Sequence, residues 1–146
     1  MKPFVLLNFV AAVVAVVAMV ASPTVRAHDR DPDAKGPNGG QLRQAGAYDY
    51  ELVVPKDCQA VKENPLSVYV TVHDQGKAAT AGATGSATIL AAKIKVTTEL
   101  RADGDNRVMG LAKYACSSDM KVVVSIALKG QSAEQARFTP LAKTGQ

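Results

Sequence analysis

From residue 48 onward, apolar and polar positions alternate with a period of two in block after block. Tyr48, Tyr50, Leu52 and Val54 alternate with Asp49, Glu51 and Val53, which predicts a half-buried strand with Asp49 and Glu51 toward solvent; Pro55-Lys56-Asp57 ends it. Residues 66–72 repeat the pattern more strictly. Leu66, Val68, Val70 and Val72 share one face, and Ser67, Tyr69, Thr71 and His73 share the other. Asp74-Gln75-Gly76 is a turn signal, residues 78–85 are small and flexible in character, and residues 86–90 open another apolar stretch. Ile94, Val96, Thr98 and Leu100 then alternate with Lys93, Lys95, Thr97 and Glu99. Beyond the loop at residues 103–106, Val108, Gly110, Ala112 and Tyr114 form one face of a strand that finishes at Cys116. Val122, Val124, Ile126 and Leu128 face inward from the next strand, and Ala136 and Phe138 close the last before Pro140. About seven short strands, with turns every 8–12 residues or so, predict an all-β domain: a single antiparallel sandwich or small barrel. No stretch after residue 27 sustains a helical apolar period. With no Trp and few aromatics, the core is expected to consist of Val, Ile, Leu and Ala, with Tyr48, Tyr50, Tyr69 and Tyr114 supplying bulk.

The chain before residue 42 follows a different pattern. Met1-Lys2 gives a positive start, residues 4–21 are apolar apart from Asn8, and Ser22-Pro23 and Val25-Arg26-Ala27 follow. This is the layout of a secretory signal peptide cleaved after Ala27, and it predicts a periplasmic, exported protein. An uncleaved anchor is the competing reading, because about 18 apolar residues is near the minimum for a bilayer span; the membrane would then be a partner only through that segment. Residues 28–41 are polar, with two Pro and three Gly, and read as a flexible arm ending in a turn at Asn38-Gly39. The expected organisation is therefore a signal peptide at 1–27, an arm at 28–41, a β domain at 42–140 and a tail at 141–146.

Removing residues 1–27 of the 146 leaves 119, one domain's worth, with 15 basic and 13 acidic residues once Lys2 and Arg26 have gone. A net charge near +2 without a run of basic residues in the sequence argues against nucleic acid as a partner. Both cysteines, Cys58 and Cys116, fall in this part. In an oxidising compartment such a pair points to a disulfide, whose long loop contributes about 3–4 kcal/mol by restricting the unfolded chain. A redox or metal role would need closer spacing, such as Cys-x-x-Cys.

Candidate chemistry is sparse. Cleavage after Ala27 would make His28 the N-terminal residue, whose α-amine and imidazole can chelate one cation together, copper or another divalent transition metal; the plainer reading is the start of a polar arm. His73, at a strand end, is an accessible imidazole of the kind metals use, or a surface histidine bonded to its own turn through Asp74. Asp29, Asp31 and Asp33 alternate as in a calcium loop, with Asp29 an auxiliary ligand to His28 and His73. Ala34 and Gly40, however, stand where that loop needs Gly and Glu. Met109 and Met120 are expected to pack rather than bind copper. Residues 82–86 lack the Lys of a phosphate loop, and Ser117-Ser118 lack a nucleophile's setting. No enzyme signature is present.

Gly36-Pro-Asn-Gly-Gly-Gln41, Ala45-Gly-Ala-Tyr48, Tyr50-Glu-Leu-Val53, Val68-Tyr-Val70, His73-Asp74, Gly76-Lys77 and the small-residue run 80–85 carry a resemblance. The chain from about Gly36 to Phe138 resembles small periplasmic proteins associated with heavy-metal efflux and copper handling, and its opening resembles the N-terminal segment of the periplasmic adaptor subunits of metal-efflux pumps. The resemblance implies a metal-binding or metal-delivery module, with His73 a ligand by motif position; His28, by its chemistry, and Asp29, as an auxiliary acidic residue of the arm, complete the expected ligand set. The alternative is a metal-free module docking onto an efflux-system or envelope protein. Related segments often carry a His within or before the Pro-x-Gly-Gly turn; here Asn38 and Lys35 stand there.

Overall fold

Strands with one apolar face must bury it, and this chain does so by curling a single antiparallel sheet on itself. The computed structural model describes residues 31, 33–73 and 75–143; the expected signal peptide, His28 and Asp29 lie outside them. The strands are β1 (Gln41–Ala45), β2 (Tyr48–Val53), β3 (Lys62–Val72), β4 (Gly76–Lys77), β5 (Thr84–Ala91), β6 (Ile94–Ala102), β7 (Arg107–Tyr114), β8 (Lys121–Ala127) and β9 (Glu134–Phe138). They run in the order β1-β2-β3-β7-β6-β5-β8-β9, with β4 added to β3, and every pairing is antiparallel. The all-β expectation holds, in the form of a nearly closed barrel.

The barrel interior takes the alternate residues that the sequence marks as apolar. Tyr50, Leu52, Leu66, Val68, Val70, Ile89, Leu100, Val108, Tyr114, Val122, Val124, Ile126 and Phe138 are all buried. Each aliphatic side chain so placed stabilises the fold by about 1.5–3 kcal/mol. Tyr114 donates its hydroxyl to the Pro65 carbonyl at 2.8 Å, whereas the buried Tyr50 hydroxyl has no hydrogen-bond partner among the described residues. Burial pushes both phenols up to about 12; at Tyr50, Glu134 and Tyr48 add to it. Tyr69, counted by sequence toward the core bulk, instead stands half-buried on the outer face of β3.

Two places keep the barrel from being a continuous ladder. Between β1 and β9 the buried Gln41 side chain does the joining: its Oε1 accepts from the Thr139 amide at 2.7 Å, and its Nε2 donates to Thr139 Oγ1 at 3.5 Å. Between β6 and β7 the ladder covers only Arg101↔Met109 and Ala102↔Val108. Beyond it, Thr98 Oγ1 donates to the Leu111 carbonyl at 2.7 Å.

Sequence alternation does not reveal β1 or β4, which raises the seven expected strands to nine. The small-residue stretch 78–83 is also better held than its composition suggests. Thr80 is fully buried, and its hydroxyl lies within 3.3 Å of the carbonyls of Gly104, Asp105 and Arg107. At the opposite end of the barrel, Cys58 and Cys116 form the expected disulfide, with 5.2 Å between their Cα atoms. It ties the loop after β2 to the end of β7, where the Cys116 amide also donates to the Cys58 carbonyl at 2.5 Å.

Candidate functional site

The polar segment before β1 does not end as a loose arm. Lys35 bridges to Gln41, the Gly39 amide donates to the Gly36 carbonyl at 3.0 Å, and the Leu42 amide donates to the Ala34 carbonyl at 2.9 Å. The turn so formed lies on the outer face of β2, with the Glu51 carboxylate beneath it. Glu51 Oε1 accepts from the amides of Asn38 at 2.7 Å and Gly40 at 2.9 Å, while Oε2 accepts from Asn38 Nδ2 at 2.9 Å. Three donors to one carboxylate explain how Glu51 tolerates 2% exposure, since a buried charge needs such bonds.

The glycines make this approach possible. A Cβ on Gly36 would overlap the Glu51 carboxylate, and one on Gly40 would overlap the Leu52 carbonyl. Gly39 sits at φ +79°, where side chains are disfavoured. Glu51 does point to the outer face, as the alternation requires, but the expectation that it and Asp49 meet solvent is overturned. Both are buried, because the turn lies over that face and β4 extends the sheet beside it.

Cross-strand register then assembles a polar surface around the turn. One row reads Leu42, Glu51, Tyr69 and Arg107 across β1, β2, β3 and β7. The next reads Gln44, Asp49, Thr71 and Lys77. Arg107 lies over the Tyr69 ring, 5.8 Å from its centroid, and is held by Asp103 at 2.5 Å. Its hydrogen bond to the Tyr69 hydroxyl, and secondarily Asp103, raise the guanidinium pKa above its ordinary value. Between these rows, the turn and Asn106 lies a cleft of about 300 Å³, with Pro37, Asn38, Glu51, Tyr69, Thr71 and Lys77 on its walls.

The sequence candidates fare unequally. His73 lies near the edge of this face, its Nδ1 3.2 Å from Asp49 Oδ2, with a side-chain exposure of 39% against 9% for Asp49. Its partner is thus a carboxylate on the neighbouring strand; Asp74 lies outside the described residues. Among the described residues no group of three or more His, Cys, Asp or Glu side chains gathers where it could hold a metal ion. Met120 is core and Met109 half-buried on β7. Ser117 accepts from the Ala92 amide at 3.0 Å and donates to Asp119, so it braces the β5–β6 turn.

Residue-by-residue reading missed Glu51, Asn38, Asp49 and Lys77 as a group. The available signal was the Asn-Gly-Gly turn, whose backbone donors need an acceptor, and the carboxylate on the next strand could supply it. Compared with known protein families, curated proteins and solved structures, the chain matches none.

Proposed function

We propose that this protein is an exported, non-enzymatic binding module of the cell envelope, which recognises a polar segment of an envelope partner in the cleft on its β2–β3 face. The observation that carries this reading is the Glu51-clamped turn. Three hydrogen bonds, two glycines that a side chain would push off the strand, and a third at positive φ fix the wall of the cleft. The groups around it suit recognition. Tyr69 with Arg107 offers an aromatic–cation surface, Lys77 offers an exposed amine, and Thr71 and Asn38 offer short polar contacts. A disulfide joining distant segments fits an oxidising, periplasmic setting.

Tyr69→Ala and Lys77→Glu test the proposal when the exported protein is captured with its envelope partners. Both are expected to remove the same captured protein while thermal unfolding stays close to the parent's. Retention of that protein by both variants would dismiss the cleft as the site.

The His73–Asp49 pair favours a second reading, metal binding or delivery. A carboxylate on one ring nitrogen is how proteins orient a histidine that ligates metal through the other. His73, oriented by Asp49, and an N-terminal His28, with Asp29 auxiliary, would hold copper or a similar divalent ion. Native mass spectrometry of copper-titrated parent, His28→Ala and His73→Ala proteins decides it. Loss of the adduct in both variants supports the site, and an unchanged adduct rejects it.

A further inference from the structure

The exposed large aliphatic residues among those described are not scattered. Val61 is 60% exposed, Leu90 42%, Ile94 44% and Leu141 37%. Strand directions put all four at the disulfide end: Val61 just before β3, Leu90 and Ile94 flanking the β5–β6 turn, and Leu141 just after β9. The fifth, Leu111, is on β7 opposite Pro65, in the half of the barrel nearer that end. The other end carries the polar turns at 46–47, 103–106 and 130–133 and none of these residues.

Cations crowd the same end. Leu90 lies between Lys95 on β6 and Lys121 on β8 in one cross-strand row, and Lys93 is at the tip of the turn. Lys35 and Lys56 line a cleft of about 310 Å³ beside the disulfide. Of the acidic residues here, Asp57 pairs with Lys62 at 3.7 Å and Asp119 accepts from Ser117 with Lys121 nearby, while Glu63 sits opposite Lys113 in the ladder register. Lys56, Lys93 and Lys95 have no ion pair among the described residues.

We propose that the disulfide end docks on the surface of an anionic phospholipid bilayer, with Leu90 and Ile94 entering the interface and Lys93, Lys95 and Lys121 meeting headgroup phosphates. Charge complementarity selects this occupant, since the rim's surplus is cationic. Its layout agrees: single aliphatics set on a hairpin tip and separate strand ends, with lysines between them, engage a plane of lipid. The hairpin tip at residues 90–94 lies away from the β2–β3 cleft, although Asn38 of the clamped turn borders both that cleft and the one beside the disulfide, and the proposal stands whether or not the cleft reading does.

The test uses the protein as recovered from exporting cells, with vesicles of phosphatidylcholine alone or mixed with phosphatidylglycerol, in a flotation assay. The parent is expected to float with the anionic vesicles, and less so as salt rises. Leu90→Ser with Ile94→Ser, and separately Lys93→Glu, Lys95→Glu and Lys121→Glu together, are each expected to weaken binding roughly tenfold or more. Because the chain has no Trp, Ile94→Trp supplies a unique fluorophore, whose emission should shift to the blue on anionic vesicles alone. Three results would each overturn the proposal: no flotation with any vesicle, flotation indifferent to both substituted sets, or an Ile94→Trp emission that never shifts. Self-association by sedimentation that Leu90→Ser with Ile94→Ser abolishes, without vesicle binding, would also overturn it and give the surface to a second copy.

Discussion

Replacing Glu51 by Gln should unfasten the turn that walls the cleft while leaving shape nearly unchanged. In the parent, Oε1 takes the Asn38 and Gly40 amides at 2.7 and 2.9 Å and Oε2 takes Asn38 Nδ2 at 2.9 Å. A glutamine can keep its oxygen on the two backbone donors, but its NH₂ reaches Asn38 only after that carboxamide turns over to present its oxygen, and all three bonds lose their charge assistance. Hydrogen bonds to charged groups contribute about 1.5–3 kcal/mol each and neutral ones about 1 kcal/mol, so the net loss should be about 2 kcal/mol. It is capped there because the turn can lift off and regain water. In a domain of this size that lowers Tm by roughly 8 °C. The diagnostic assay is amide hydrogen exchange: Asn38 and Gly40 should exchange far faster in Glu51→Gln, while β8 amides, far from the turn, slow or speed only with global stability. A double-mutant cycle sharpens the result. Asn38→Ala should cost about 1.5–3 kcal/mol in the parent and about 1 kcal/mol or less in Glu51→Gln, since the bond it removes there is neutral. Unchanged Tm together with unchanged Asn38 and Gly40 protection would refute the clamp.

Three further outcomes follow from other parts of the fold. Ala92 and Lys93 occupy the two-residue β5–β6 turn at φ 48° and 65° without a glycine, so Ala92→Asn with Lys93→Gly should stabilise the protein by roughly 1–2 kcal/mol in urea unfolding; a loss of stability would contradict the strain. Among the described residues the Tyr50 hydroxyl has no partner and the Tyr114 hydroxyl has one, so Tyr50→Phe should be neutral or stabilising near pH 7 and Tyr114→Phe destabilising by about 1 kcal/mol. Both phenols titrate near 12 when folded and near 10 when unfolded, so their contribution is complete below about pH 10 and is lost as pH climbs through 12. Urea midpoints should therefore fall above pH 10, and fall less steeply in Tyr50→Phe. Finally, Cys58→Ser with Cys116→Ser should reduce stability by about 3–4 kcal/mol, and an equal midpoint in both proteins would contradict the bridge's role.

How much of this was legible in sequence depends on what each residue was asked to reveal. Residues 66–72 and 122–128 could be read directly, because a barrel wall buries one face and a period of two records it. β1 could not, because its inward positions include Gln41, a polar residue buried to join β1 to Thr139, and joining a seam leaves no apolar signature. Alternation placed Asp49 and Glu51 on the outer face correctly but could not say what covers that face. The cover comes from the turn at residues 36–40 and from β4, one of which reads as arm and the other as loop. Thr80 was hidden for a similar reason: its stretch looks flexible by composition, yet one hydroxyl near three carbonyls holds it. His73 was marked, but its carboxylate partner lies 24 residues away and meets it only through the β2–β3 register, which depends on the loop between the strands.

Site-specific photocrosslinking in cells that produce the protein tests the central claim, that the β2–β3 cleft is the binding surface, most directly. A photoreactive residue is placed at Lys77 on the cleft and, as a control, at the exposed Gln135 on β9. One discrete crosslinked partner from position 77, absent from position 135 and lost when Tyr69→Ala is added, is the result expected. Identical products from both positions, or none from the cleft, would contradict it.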